Sequence, residues 1–433
     1  MRIVFGVFLF LSLRLFGQRP GSGEGPDTLF NASAVGAIEN VLASDAMRGR
    51  ASFTPDIERA ADYIESQFRE AGLKTWNGSA SYRQPFSMIR AKLDSVSGEI
   101  DGTRLTKENT IVMSSQPHLR VDNASGYRKV YIKAGEDLFS KVLGYTHGNA
   151  NYLVLVDTSF STHFARLGRI TGQQFKSAYS SIFILTAADP VRYRVSADQQ
   201  IKESPLANVV GILPGTGPDR DQYVIFSGHY DHLGVRKPDA RGDSIYNGAN
   251  DDASGTTAVI LLAKYFAQLH NNKRTLVFAA FTAEEIGEFG SQHFSSQFDP
   301  DKVVAMFNIE MIGSPSKWGD NSAFVTGFER SSMSTIMQHN LAGSKFTFYP
   351  DPYKTQNLFY RSDNASLARK GVPAHTISTT QIDIDKTYHT PEDEVSTIDL
   401  KNMAEIIKAI ALSSTSIVQG EDTPTRVDKS QVR

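Results

Sequence analysis

Five short segments, spread over about 160 residues, gather imidazoles and carboxylates in a fixed order. They are His229-Tyr230-Asp231, Asn250-Asp251-Asp252-Ala253-Ser254-Gly255, Glu284-Glu285, Glu310 within Asn308-Ile309-Glu310-Met311-Ile312-Gly313, and Tyr388-His389-Thr390-Pro391-Glu392-Asp393. Two imidazoles and three carboxylates are the donor types that hold a pair of divalent zinc ions. A sixth acidic group beside one of them is placed to activate water.

Each segment has a chemical reading and a plainer one. His229 and Asp231 fall on the same side of an extended segment, so His229 is expected to bind a metal while Asp231 accepts its other ring proton; the plainer reading is a structural histidine. His232 is the competing ligand and is expected either just behind the ligands or at the rim. Asp251 and Asp252 open a helix, where one Asp would suffice as a cap. Asp251 is expected to bridge two metals through its two oxygens, and Asp252 to orient its neighbours. Adjacent buried carboxylates at Glu284-Glu285 repel unless neutralised, which suggests a division of labour: Glu285 on metal, Glu284 taking a proton from water. Glu310 lies inside an apolar run, where an unpaired carboxylate is costly, so a second metal or a buried Arg or Lys must face it. His389 supplies the fifth ligand. Tyr388 is expected to donate a hydrogen bond to a developing oxyanion, or simply to pack.

The elements that must position these groups can be read from periodicity. From residue 207 onward apolar strand runs alternate with helical runs: strands at 223–227, 275–281, 303–309 and 323–326, and helices at 253–269, from about 285, and at 400–417. That alternation predicts an α/β fold with a largely parallel sheet wrapped by helices. In such sheets ligands sit beyond the carboxyl ends of strands, and His229, Glu284 and Glu310 each follow one. Ahead of them, 33–43 and the run after Thr54-Pro55 read as helices, the second stopped by Gly72. Residues 85–204 change to short β-branched runs, which predicts an inserted, mostly β subdomain. Residues 18–30 and 421–433 are expected to be disordered, leaving 31–84 and 205–420 as the main domain.

Composition narrows the class. The chain has 433 residues, 40% apolar and 21% charged, with a formal net charge of -2. This balance carries no basic footprint for nucleic acid and no cationic run for an anionic membrane. Cysteine is absent, which excludes disulfides, thiolate zinc sites and a cysteine nucleophile. Residues 1–17 open on Met1-Arg2, continue mostly apolar and reach Gly17, the pattern of a secretory signal. Arg14 interrupts the stretch, which is shorter than the roughly 20 residues a membrane span needs. The expectation is an exported protein, periplasmic or extracellular.

The ordered motif set resembles the zinc aminopeptidase family that includes aminopeptidase Y, bacterial leucyl aminopeptidases, glutamate carboxypeptidase and glutaminyl cyclase. Leu42-Ala43-Ser44-Asp45, Gly49-Arg50, Ala60-Ala61-Asp62-Tyr63-Ile64 and Ala71-Gly72-Leu73 resemble its N-terminal helices. The likeness covers 34–76 and 205–415. It implies a mixed sheet with helices on both faces, and two Zn²⁺ ions. One would take His229 and Glu310, the other Glu285 and His389, with Asp251 bridging and Glu284 as general base. It also implies that 85–204 is a protease-associated insertion. Two positions depart from the family pattern: Glu310 stands where most relatives have Asp, and Asn364 follows Arg361-Ser362-Asp363 where many have His. The function implied is hydrolysis of the N-terminal peptide bond of a peptide or protein with a free amine. Carboxypeptidase or cyclase chemistry on the same scaffold, or a binding protein on a decayed one, are the alternatives.

Overall fold

The computed structural model describes residues 26–146, 148–170 and 173–432. The expected signal sequence and its cleavage point at Gly17 lie outside these residues. Two early helices form where the sequence places them. In α1 (Ala32–Leu42) the Asn31 side chain accepts from the Ala34 amide, and in α2 (Pro55–Glu70) Thr54 accepts from the Asp56 amide. Helix α2 buries Ile57, Ala60, Ala61, Ile64 and Phe68, the face its spacing predicts.

Eight strands make the body of the main sheet: β1 (Arg83–Ile100), β2 (Tyr193–Leu213), β3 (Tyr223–His229), β4 (Thr275–Phe281), β5 (Val303–Ile309), β6 (Ser322–Val325), β7 (Thr347–Pro350) and β8 (Ala374–Ser378). Their order is β7-β6-β8-β5-β3-β4-β2-β1. The pairs around β3, namely β4-β3, β3-β5 and β5-β8, are parallel, whereas β6-β8, β2-β4 and β1-β2 are antiparallel. The fold is therefore mixed α/β, parallel at its centre. Every residue of β4 and β5 is buried, as a strand covered on both faces requires. One face packs on α1, α2, α3 (Ser254–Leu269) and α4 (Leu400–Ser413) through Val259, Leu262, Phe266, Ile406 and Ile410. The other packs on short helices through Phe294, Phe298, Leu367 and Ala368.

Three expectations change. The insertion is not severed from the main sheet at 85 and 204. Strands β1 and β2 run through both positions as one ribbon, paired from Arg83–Val209 to Tyr193–Ile100. Only the Val209–Leu213 end of β2 also joins β4, so the change in composition marks where the strands leave the core rather than where they begin. The far end carries a four-stranded sheet with two helices, Leu138–Thr146 and Ser161–Ile170, so the region is β-rich but layered. Residues 421–432 are packed rather than disordered. Arg274 donates to the Asp422 carbonyl and Thr423 hydroxyl, Arg426 to the Val303 carbonyl, and Val427 is buried. These are bonds between a polar segment and distant backbone, which composition does not reveal. At the other end, residues 26–30 are likewise ordered: Pro26–Leu29 forms a helical turn and Phe30 packs on Tyr265.

Candidate metal centre

The carboxyl ends of β3, β4 and β5 deliver His229, Glu284-Glu285 and Glu310 to one rim, and the start of α3 brings Asp251 to meet them. Asp251 is the meeting point. Its Oδ1 lies 3.2 Å from His229 Nε2 and its Oδ2 3.2 Å from His389 Nε2. His389 Nε2 is also 3.2 Å from Glu285 Oε2. Donor atoms of His229, Asp251 and Glu310 form one group that could hold a cation, and those of His232, Asp251 and Glu285 form a second. Glu284 Oε2 lies 3.9 Å from His229 Nε2, beside the pair.

Local backbone explains these placements. The helix expected from 285 begins only at Phe289. Ala283, Gly287 and Glu288 have positive φ (60°, 128° and 58°), which forbids a continuous helix and makes a tight loop that presents both glutamates. Asp252 ties three segments together: its carboxylate accepts from the amides of His229 (3.1 Å), Gly255 (3.0 Å) and Met311 (3.0 Å). Gly228 and Gly255 leave room for this crossing, since a Cβ on Gly255 would lie 2.1 Å from the Ile309 carbonyl.

One role differs from expectation and a second is narrowed. The His229 Nδ1 proton goes to the backbone carbonyl of Asp231 at 3.0 Å, not to its carboxylate, which stands 3.7 Å away. That carboxylate instead accepts from the Glu284 amide (3.1 Å) and the Ser52 hydroxyl (3.1 Å), holding the glutamate loop to β3. Of the two places expected for His232, the structure puts it behind the ligands rather than at the rim. It is fully buried, with Nδ1 2.7 Å from Glu285 Oε1 and 3.9 Å from Asp251 Oδ2.

Spacing alone does not reveal several supporting residues. Arg50 is fully buried and donates to the carbonyls of Tyr230, Leu42, Asn247 and Gly248, clamping the loops on either side of the centre. Asp393 accepts from the amides of Asn250 (2.7 Å) and Asp251 (3.0 Å). The Ser362 hydroxyl donates to Glu310. The Gly49-Arg50 pair and the final Asp of the Tyr388–Asp393 motif were visible as motif members, without a role.

The electrostatics require positive charge. Burial pushes the Glu284 carboxyl well up, against the pull of His229, and Glu310, Asp363 and Glu285 add to the rise. Burial likewise lifts Glu310 to about 7, again opposed by His229. Burial also disfavours the Asp251 charge, yet His229, His389 and His232 hold its carboxyl well below the usual range. Desolvation works against the His389 imidazolium, but Asp251 and Glu285 raise it to about 9. His229 Nε2, both ring nitrogens of His232 and Glu285 Oε1 are buried and make no aligned hydrogen bond, although His229 Nε2 and His232 Nδ1 each stand within 3.2 Å of a carboxylate oxygen. Orphaned nitrogen and oxygen donors around an excess of carboxylate fit zinc well.

Beside Glu310 a small cleft, about 50 Å³, is walled by Met311, Phe324, Leu358, Arg361, Ile382 and Tyr388. Tyr388 stacks on His389 at 3.9 Å, and burial raises its hydroxyl pKa, keeping it protonated as a donor.

Residues 208–414 match the model of peptidase family M28. A probable zinc metalloprotease of Pyrenophora teres f. teres is 38% identical over 110 residues, 25% of this chain and 23% of the relative. Aminopeptidase YwaD of Bacillus subtilis is 23% identical over 240 residues, 51% of this chain and 47% of the relative. The chain thus spans about a quarter to a half of these relatives' lengths. The aminopeptidase from Aneurinibacillus sp. strain AM-1 shares the fold, with a TM-score of 0.53 at 18% identity, covering 94% of this chain and 97% of that one.

Proposed function

We propose that this protein, whose residues 208–414 match the model of peptidase family M28, is a zinc aminopeptidase that would hold two ions, with Asp251 serving both. His229, Asp251 and Glu310 would hold one ion, and Asp251, Glu285 and His389 the other, with His232 beside Glu285. The observation that carries the reading is Asp251 itself: one carboxylate with an imidazole 3.2 Å from each oxygen.

When bound, the zinc pair polarises the substrate carbonyl and makes water acidic enough to be a nucleophile near neutral pH. The remaining steps belong to the chain. Glu284, its proton affinity raised by burial, accepts a proton from the attacking water as the carbon–oxygen bond forms. The carbon–nitrogen bond then breaks, and Glu284 returns that proton to the leaving amine. The Asp231 carboxylate keeps Glu284 in place through its amide. Tyr388, neutral and beside the cleft, is positioned to donate to the carbonyl oxygen as it gains charge.

A panel of aminoacyl chromogenic substrates, free-amine and blocked-amine peptides and N-terminal Gln peptides, with and without chelator, tests the activity. Cleavage confined to free-amine substrates and lost with chelator is expected; cleavage only of blocked peptides, or cyclisation of Gln, replaces the reading. Glu284→Gln should keep its zinc and lose at least the roughly 10²-fold in kcat that a general base supplies. Unchanged turnover removes Glu284 from the mechanism.

A further inference from the structure

The glutamate loop rests on a small apolar cluster of its own. Phe86, Met88, Leu206 and Ala283 are its buried members, with Phe53, Phe175 and Phe289 packed around them. Three of these join the chemistry through a peptide bond, a hydrogen bond or both. Ala283 precedes Glu284. Phe53 follows Ser52, whose hydroxyl holds Asp231. Phe289 closes the loop, its amide donating to the Ala283 carbonyl at 3.1 Å, while Gly290 donates to Thr282 at 3.0 Å. Inside that ring the amides of Gly287 and Glu288 both turn back onto the Glu284 carbonyl, at 2.9 and 3.0 Å. The loop is therefore a closed unit, and its tilt is set by what lies against Phe289.

What lies there comes from the insertion. Gln174–Phe175 is a two-residue strand laid antiparallel on β1, with Phe175 opposite Met88. The Phe175 ring meets Phe289 edge to face at 5.4 Å and Phe86 at 6.0 Å. Aromatic pairs of this kind have a directional preference as well as buried area. Of the cluster's members, only Phe175 lies beyond the β1–β2 ribbon and outside the main domain's own loops.

We propose that Phe175 is a positioning residue: through Phe289 it fixes the loop that carries Glu284 and Glu285, so the insertion sets the geometry of the base and of one metal position. The proposal rests on the assignment of Glu284 and Glu285 given above. A reacting group displaced by about 1 Å loses up to about 10²-fold in rate, so loss of the ring should register in kcat rather than in KM.

The test is made in the full chain, comparing Phe175→Ala, Phe175→Leu, Phe289→Ala and the double Phe175→Ala/Phe289→Ala variant with wild type well below each melting temperature. Phe175→Ala should lower kcat about 10-fold and leave KM within about 2-fold. Under graded chelator it should release one zinc about 10-fold more readily, because Glu285 has moved. Phe175→Leu, which refills most of the volume, should recover most of kcat and of the metal retention. The double variant should lose no more than the worse single one. Unchanged kcat and zinc release in Phe175→Ala, or a fall in melting temperature alone, overturns the proposal, as does full additivity in the double variant. Should Phe175→Ala not fold, the graded loss in Phe175→Leu against Phe289→Ala decides the matter. If Glu284→Gln proves fully active, the base assignment falls, but zinc release still judges Phe175 through Glu285.

Discussion

Two histidine–aspartate contacts in this protein have nearly the same length and opposite meanings. His229 Nε2 lies 3.2 Å from Asp251 Oδ1, and His118 Nδ1 lies 2.9 Å from Asp198 Oδ1. In the first pair the side chains are 1% and 4% exposed; in the second, 76% and 38%. Asp198 also takes Arg120 at 2.8 Å and Ser95 at 3.1 Å, and these partners together pull its carboxyl down to about 2. Its charge is satisfied by neighbours and by water. Asp251 faces three imidazoles beside Glu284, Glu285 and Glu310, and the buried ring nitrogens His229 Nε2 and His232 Nδ1 and Nε2 make no aligned hydrogen bond. Residue type and distance are shared; what separates a site from a surface cluster is burial with unmet donors.

The sharpest way to break this contrast is Asp251→Asn. The substitution keeps shape but removes the shared negative charge. Dialysed protein should then hold neither ion firmly by metal analysis, and hydrolysis should fall by at least about 10³-fold, the several kcal/mol a metal contributes to charge stabilisation. Retention of both ions with wild-type rate would mean that Asp251 does not bridge. A smaller effect is expected at His232. Its Nδ1 faces Glu285 at 2.7 Å, so His232→Gln should weaken one of the two zinc affinities by about 10–100-fold and leave the other untouched. Equal loss at both positions, or no loss, would remove His232 from the Glu285 side.

The groups that the sequence exposes and those it hides differ in a physical way. Glu310 is legible because a carboxylate in an apolar run needs a counter-charge, and His229 and Glu284 because they close or follow buried strands. Those arguments need only local context. His232 and the Asp231 carboxylate depend on how the chain turns after β3, and that turn is set by Arg50 binding the carbonyls of Tyr230 and Gly248, 180 and 198 residues away. The tail was misjudged for a similar reason: Arg274 and Arg426 hold it through backbone oxygens, which leave no trace in local composition. The late start of the helix after Glu285 came from positive φ at Glu288, a residue type that does not announce it. Strand and helix identity, set by periodicity, came through; contacts between distant loops did not.

The smallest effect is expected where the surface pair is broken. Asp198→Asn removes the charge that His118 and Arg120 share, in the β1–β2 ribbon outside the centre. Exposed ion pairs are screened by water and salt, and their loss leaves no donor stranded in an apolar interior. Zinc content and kcat should therefore match wild type, and calorimetry should show no separable change in melting temperature. The outcome bears on the insertion as well. The insertion is proposed to act on the glutamate loop by packing at Phe175, so a charge change on the ribbon's solvent face should not travel. If Asp198→Asn lowered kcat or released zinc, the coupling between insertion and centre would have to be electrostatic, and the distinction between the two histidine–aspartate pairs would lose its basis in burial.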